Sequence, residues 1–134
     1  MDDVIVKKVA SIERCILRVK EEYDKAGVQF DHDYSRQDAA ILNLQRACEQ
    51  AIDIANYLVK KNKWGIPTSS RESFDFLLEH EIINKELNNN LKKMVGFRNL
   101  AIHEYNVLNI DILKSIIAHE LDVFKKFGEI LLRL

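Results

Sequence analysis

The sequence predicts an all-α protein, an antiparallel four-helix bundle with an additional short helix, and three observations lead there. Apolar residues recur at alternating spacings of three and four along most of the chain. Punctuation is sparse, with one Pro and four Gly in 134 residues. No stretch shows the apolar–polar alternation of a half-buried strand. At this length a single domain spanning 1–134 is expected, large enough to bury roughly two-thirds of its unfolded surface.

Ile5, Val9, Ile12, Ile16, Val19 and Tyr23 form the seam of a first amphipathic helix, which should end near Gly27. Asp31-His32-Asp33-Tyr34 reads as a polar connection. Ser35, with Asp38 three residues later, resembles a capping box that opens a second helix. That helix runs to about Lys61, with Ile41, Leu44, Cys48, Ala51, Ile52, Ala55 and Leu58 inward. Gly65-Ile66-Pro67 breaks the chain. Ser69 and Glu72 then cap a short third helix carrying Phe74, Leu77 and Leu78. A fourth helix starts near Lys85 and turns Leu87, Leu91, Met94 or Val95, and Ile102 inward. Asn106 and Asn109 mark a turn, and Asn109 caps one last helix whose inward face is Leu113, Ile116, Ile117, Leu121, Phe124 and Leu131.

Apolar residues make up 47% and charged residues 31% of the chain, the balance of a soluble globular protein. A formal net charge of −1 does not mark a general nucleic-acid binder. RNA contact would need a local patch, which Lys85, Lys92, Lys93 and Arg98 offer and Glu86 and Glu104 dilute. No apolar run approaches the ~18 residues of a membrane span, and Met1-Asp2-Asp3 is acidic, unlike a signal peptide. The cytoplasm is the expected compartment. Cys15 and Cys48, far apart in sequence, are expected to be packed and reduced.

Several chemistries can be set aside. A di-iron bundle needs Glu-x-x-His pairs on facing helices, and none of the four His residues has a Glu three positions before it. Asp31-His32-Asp33 reads as a solvated loop, His80 as a helix end and His119 as an ordinary helix position. Zinc spacing, a phosphate-binding glycine loop and a nucleophile elbow are absent from the sequence. The informative stretch is Arg98-Asn99-Leu100-Ala101-Ile102-His103-Glu104-Tyr105. Arg98 falls on the apolar stripe of its helix, where an unpaired guanidinium is costly to bury. On the residues alone two readings stand: an Arg paired to a carboxylate with a packed His, or an Arg awaiting an anionic ligand.

Ile41-Leu42-Asn43-Leu44-Gln45-Arg46-Ala47-Cys48-Glu49 resembles the second-helix signature of HepT-type toxins of the HEPN (higher eukaryote and prokaryote nucleotide-binding) superfamily. Gly65-Ile66-Pro67, Ser70-Arg71-Glu72-Ser73-Phe74 and Met94-Val95-Gly96-Phe97-Arg98-Asn99 are similar to that family too, in the same order along the chain. The resemblance implies a prokaryotic, metal-independent endoribonuclease toxin that works as a homodimer and needs no cofactor of its own. It implies a cognate MNT-type nucleotidyltransferase antitoxin, which would use ATP and Mg. It also implies an Arg-x4-His-x-Tyr motif in which Arg98 and His103 carry catalysis and Tyr105 accepts AMP from the antitoxin. Asn99 fits the polar position that follows the family's Arg and joins the candidate catalytic set. The alternative is a non-catalytic helical module that binds nucleotide or scaffolds a nucleotidyltransferase partner.

These residue types suit RNA cleavage by the neighbouring 2′-hydroxyl. Histidine moves protons near neutral pH, and arginine stays charged and can donate two parallel hydrogen bonds to phosphate. The spacing is awkward. Five residues on an ideal helix turn about 500°, leaving Arg98 and His103 ~140° apart and ~7.5 Å along the axis. Either the helix distorts near His103, or two protomers pool their residues at a two-fold cleft, which is the arrangement expected here. Lys92, Lys93 and Arg46 are lesser candidates for phosphate contact, and Glu49 for an ion pair.

Overall fold

A computed structural model describes residues 2–104 and 108–134 of the chain. Among these residues there is no strand. Six helices follow one another: α1 (Asp3–Ala26), α2 (Tyr34–Lys61), α3 (Ser70–Glu79), α4 (Lys85–His103), α5 (Ile110–His119) and α6 (Asp122–Leu131), with a 3-10 turn at Gly27–Gln29. The all-α bundle is therefore as expected. α1, α2, α4 and the α5–α6 pair surround one apolar core, and α3 closes the side between α2 and α4.

The predicted ends hold where a specific cap was legible. α1 stops before Gly27, whose φ of 55° suits a residue without Cβ. Ser69 Oγ accepts the Glu72 N–H at 3.1 Å, and Glu72 returns its carboxylate to Thr68 rather than to Ser69. Asn109 Oδ1 accepts from Asp111 N–H at 2.7 Å and starts α5. The start of α2 differs from expectation: its cap is Asp33, which accepts from the Arg36 N–H at 3.1 Å, so Ser35 lies inside the helix. Gly65 is held at φ 150° with the Phe76 ring 2.9 Å from where a Cβ would stand, so the Gly-Ile-Pro break has a packing reason besides its flexibility.

Two further corrections concern the C-terminal half. The expected single last helix is two, because i→i+3 bonds from Val123 N to Glu120 O and from Phe124 N to Leu121 O tighten the chain between α5 and α6. On α4, Ile102 is 42% exposed, and Phe97 and Ala101 turn inward instead. The inward stripe follows Leu87, Met94 and Ala101 at a heptad spacing that drifts about 20° per repeat, which carries Ile102 off it.

The antiparallel α1–α2 pair is fastened at its ends. Asp2 caps α1 through Oδ1 to the Val4 N–H at 2.9 Å, while Oδ2 accepts from Tyr57 Oη at 2.6 Å and Lys61 Nζ at 2.8 Å near the end of α2. Those hydrogen bonds, Lys61 first and then Tyr57, hold the Asp2 carboxyl well below the usual carboxylate range. A depressed folded pKa stabilises above the unfolded value, about 3.9, and the contribution is lost as pH falls toward the folded one. Asp2→Asn is expected to lower the urea midpoint by a constant amount above about pH 5. Paired urea titrations from pH 7 to pH 2 should show the gap closing as the solution becomes more acidic.

The other loop candidates have structural employment. Asp31 pairs with Lys114 at 3.0 Å, Asp33 caps α2, and His80 stacks on Trp64 with ring centroids 4.0 Å apart and planes 6° from parallel. Cys15 and Cys48 are both buried free thiols.

Candidate active site

α4 is the element that carries the motif. Asn84 caps it, accepting the Leu87 N–H at 2.8 Å, and the helix stays α-helical through His103, where the Glu104 N–H bonds the Leu100 carbonyl at 2.9 Å. No distortion separates Arg98 from His103, so within one chain the two side chains leave the helix on different sides, ~140° apart.

Arg98 points into the bundle. Its side chain is 18% exposed, and two other elements hold it. Nη1 lies 3.5 Å from Glu49 Oε1 on α2, and Nη2–H donates to Ser70 Oγ at 2.9 Å on the first turn of α3. The Glu49 contact is an ion pair too long to be a strong hydrogen bond. Nε is buried with no hydrogen-bond partner among the described residues. A guanidinium has five N–H donors, so this one is anchored at two corners and keeps donors for an anion. Of the first reading of Arg98 the carboxylate partner is present, though half-exposed and 3.5 Å away, while His103 is exposed rather than packed.

His103 and Asn99 lie four residues apart, on one side of α4. His103 is exposed and Asn99 half-buried. Tyr105 lies outside the described residues. Cys48, next to Glu49, is no rival nucleophile: burial, with the Glu49 charge adding, pushes its thiol up to about 12. Among the described residues no group of His, Cys, Asp and Glu is arranged to hold a metal ion.

Of the lesser candidates, Lys92 is engaged by Asp75 across α3 and α4, whereas Lys93 and Arg46 are exposed. Glu49 takes the ion-pair role expected of it. Sequence reasoning missed Ser70 as a partner of Arg98, because twenty-eight residues separate them and periodicity carries no such information. It also gave no role to Gly96, although a lone Gly inside a helix usually has a packing reason.

Comparison with known proteins identifies the family. The model of the family described as ribonuclease HepT-like matches residues 12–131. The mRNA nuclease HepT of Shewanella oneidensis is 47% identical over 131 residues, covering 98% of this chain and 98% of that protein. A solved structure of the tri-AMPylated Shewanella oneidensis HEPN toxin in complex with MNT antitoxin has a TM-score of 0.94 at 45% identity, covering 100% of both chains. A crystal structure of a toxin–antitoxin complex with AMP-PNP has a TM-score of 0.92 at 45% identity, covering 98% of this chain and 99% of that one. No helix of the described residues is long and apolar enough to cross a membrane.

Proposed function

This chain belongs to the HepT-like ribonucleases, and from that premise we propose that it is a cytoplasmic toxin whose RNase site is assembled from Arg98 and His103 of two protomers. The observation that carries the proposal is the unbroken α4. A helix that stays regular to His103 turns Arg98 and His103 apart, so a site using both is completed by a second copy. The groove between α4 and α5, lined by Phe97, Leu100, Ile112 and Ile116 together with Lys93, Asp111 and Glu120, lies beside the face that carries His103.

At a two-fold cleft the pair of His103 side chains divides the proton work. One imidazole takes the proton of the 2′-hydroxyl as its oxygen attacks phosphorus. The other gives a proton to the departing 5′-oxygen, leaving a cyclic phosphate and a 5′-hydroxyl. The Arg98 guanidinium, held by Glu49 and Ser70, neutralises the charge that builds on the phosphate oxygens. Asn99, one turn before His103 on α4, would orient the imidazole. None of these steps calls for a metal ion. The test uses RNA, its 2′-deoxy analogue and a chelator. RNA alone should be cut, at an unchanged rate with chelator, giving cyclic phosphate ends; cleavage of the 2′-deoxy strand or loss of activity in chelator contradicts the mechanism.

The partner follows from the relative crystallised as a tri-AMPylated toxin with an MNT antitoxin. For this chain, AMP transfer to Tyr105 would form a phosphodiester at the phenol and release diphosphate from ATP, with Mg²⁺ supplied to the partner. An added anion and nucleoside two residues from His103 would repel RNA and fill the cleft. Tyr105→Phe is expected to cleave RNA but to stay active after incubation with antitoxin, ATP and Mg²⁺. Intact mass should show AMP on the wild type; an unmodified wild-type chain contradicts this role.

A further inference from the structure

Gly96 sits in the interior of α4, where Gly is a poorer helix former than Ala. The space it leaves is occupied. A Cβ at Gly96 would meet Arg71 Nη2 at 3.1 Å, closer than ordinary van der Waals contact. The guanidinium of Arg71 therefore lies against α4 at the one point where the helix has no side chain. Arg71 follows Ser70 on the first turn of α3, and Ser70 Oγ is the group that accepts from Arg98. The consecutive residues Ser70 and Arg71 thus touch α4 at two places, Arg98 and Gly96.

Arg98 and Arg71 differ in their partners. Arg98 has Glu49, Lys92 has Asp75 and Arg36 has Glu22, whereas no carboxylate among the described residues pairs with Arg71. Arg71 is exposed as well. Gly96 and His103 are seven residues apart, which returns them to the same side of α4 and ~10.5 Å apart along it. An anion on the His103 side of the helix can therefore reach the Arg71 guanidinium.

We propose that Arg71, seated on α4 at Gly96, binds the RNA phosphate next to the one held by Arg98, as a second phosphate-binding residue of the cleavage site. This rests on the reading of Arg98 and His103 as the RNase site. It assigns Arg71 to substrate binding and leaves the proton transfers to His103.

The experiment measures steady-state cleavage of a labelled single-stranded RNA by wild type, R71Q, G96A and the R71Q/G96A double variant over a range of salt. R71Q is expected to raise KM about tenfold with kcat changed less than about twofold. It should also flatten the dependence of log kcat/KM on log salt by about 0.7, as for one lost contact to a single strand. G96A, whose methyl would stand 3.1 Å from Arg71 Nη2, should raise KM in the same direction. It should have no further effect in the R71Q background, because the two changes act on one group. An R71Q enzyme with wild-type KM and salt slope overturns the inference, and so does a loss confined to kcat. An additive effect of G96A on R71Q removes the seat at Gly96 from the account. A folded wild type that cuts no RNA overturns the reading of the site, and the Arg71 assignment with it.

Discussion

Alanine at position 103 is expected to lower RNA cleavage by about 10²–10⁴-fold, the usual contribution of a positioned acid–base group, with no loss of thermal stability. The two expectations come from the same placement. His103 is the last residue of α4 and exposed, so truncating it removes no core contact, and the Glu104–Leu100 backbone bond that closes the helix does not use its side chain. A residue of that kind can matter greatly for chemistry while mattering little for folding. Cleavage rates beside a thermal melt check both; activity that survives the substitution would remove the imidazole from the mechanism.

Arg98→Ala is expected to cost about 10²–10³ in kcat, the magnitude seen when one preorganised donor to developing charge is removed. Its stability cost should be about 1 kcal/mol. Glu49 is 38% exposed, so losing the Arg leaves its carboxylate in contact with water rather than stranded in the core. Arg98→Lys separates charge from shape. Lysine keeps the charge but presents no planar fork to Ser70, Glu49 and phosphate together, so most of the activity should still be lost. If Arg98→Lys cleaves RNA like wild type, the guanidinium serves only as a charge and the anchoring by Ser70 and Glu49 is incidental.

Much of this fold was legible because its boundaries depend on local chemistry. Gly27, Ser69 and Asn109 each end or begin a helix with groups a few residues away, and those groups are visible in the sequence. Asp33 and Ser35 are both good caps, and the choice between them is made by tertiary contact: Phe30 is buried and its carbonyl accepts from Gln37 Nε2 at 2.7 Å. The break between α5 and α6 was not legible, since neither Gly nor Pro marks it and i→i+3 bonding makes the step. At the site, Arg98 stood out because a cation on an apolar stripe is conspicuous, and Glu49 could be read as an ion-pair residue on α2. Ser70 could not be tied to Arg98, nor Arg71 to Gly96, in advance. Their link is a contact between α3 and α4, and only Gly96, an otherwise unexplained gap in a helix, hinted at it.

The central claim, that each cleavage site uses the His103 imidazoles of two chains, is tested most directly by mixing. Wild type and His103→Ala chains are denatured together in equal amounts, refolded so that dimers form at random, and assayed for RNA cleavage against the same quantity of protein. If both imidazoles of a dimer are needed, only dimers of two wild-type chains cut, and activity falls to about a quarter of the all-wild-type value. Activity of about a half, proportional to the wild-type chains present, would mean that one imidazole suffices for each site and would contradict the shared pair of imidazoles.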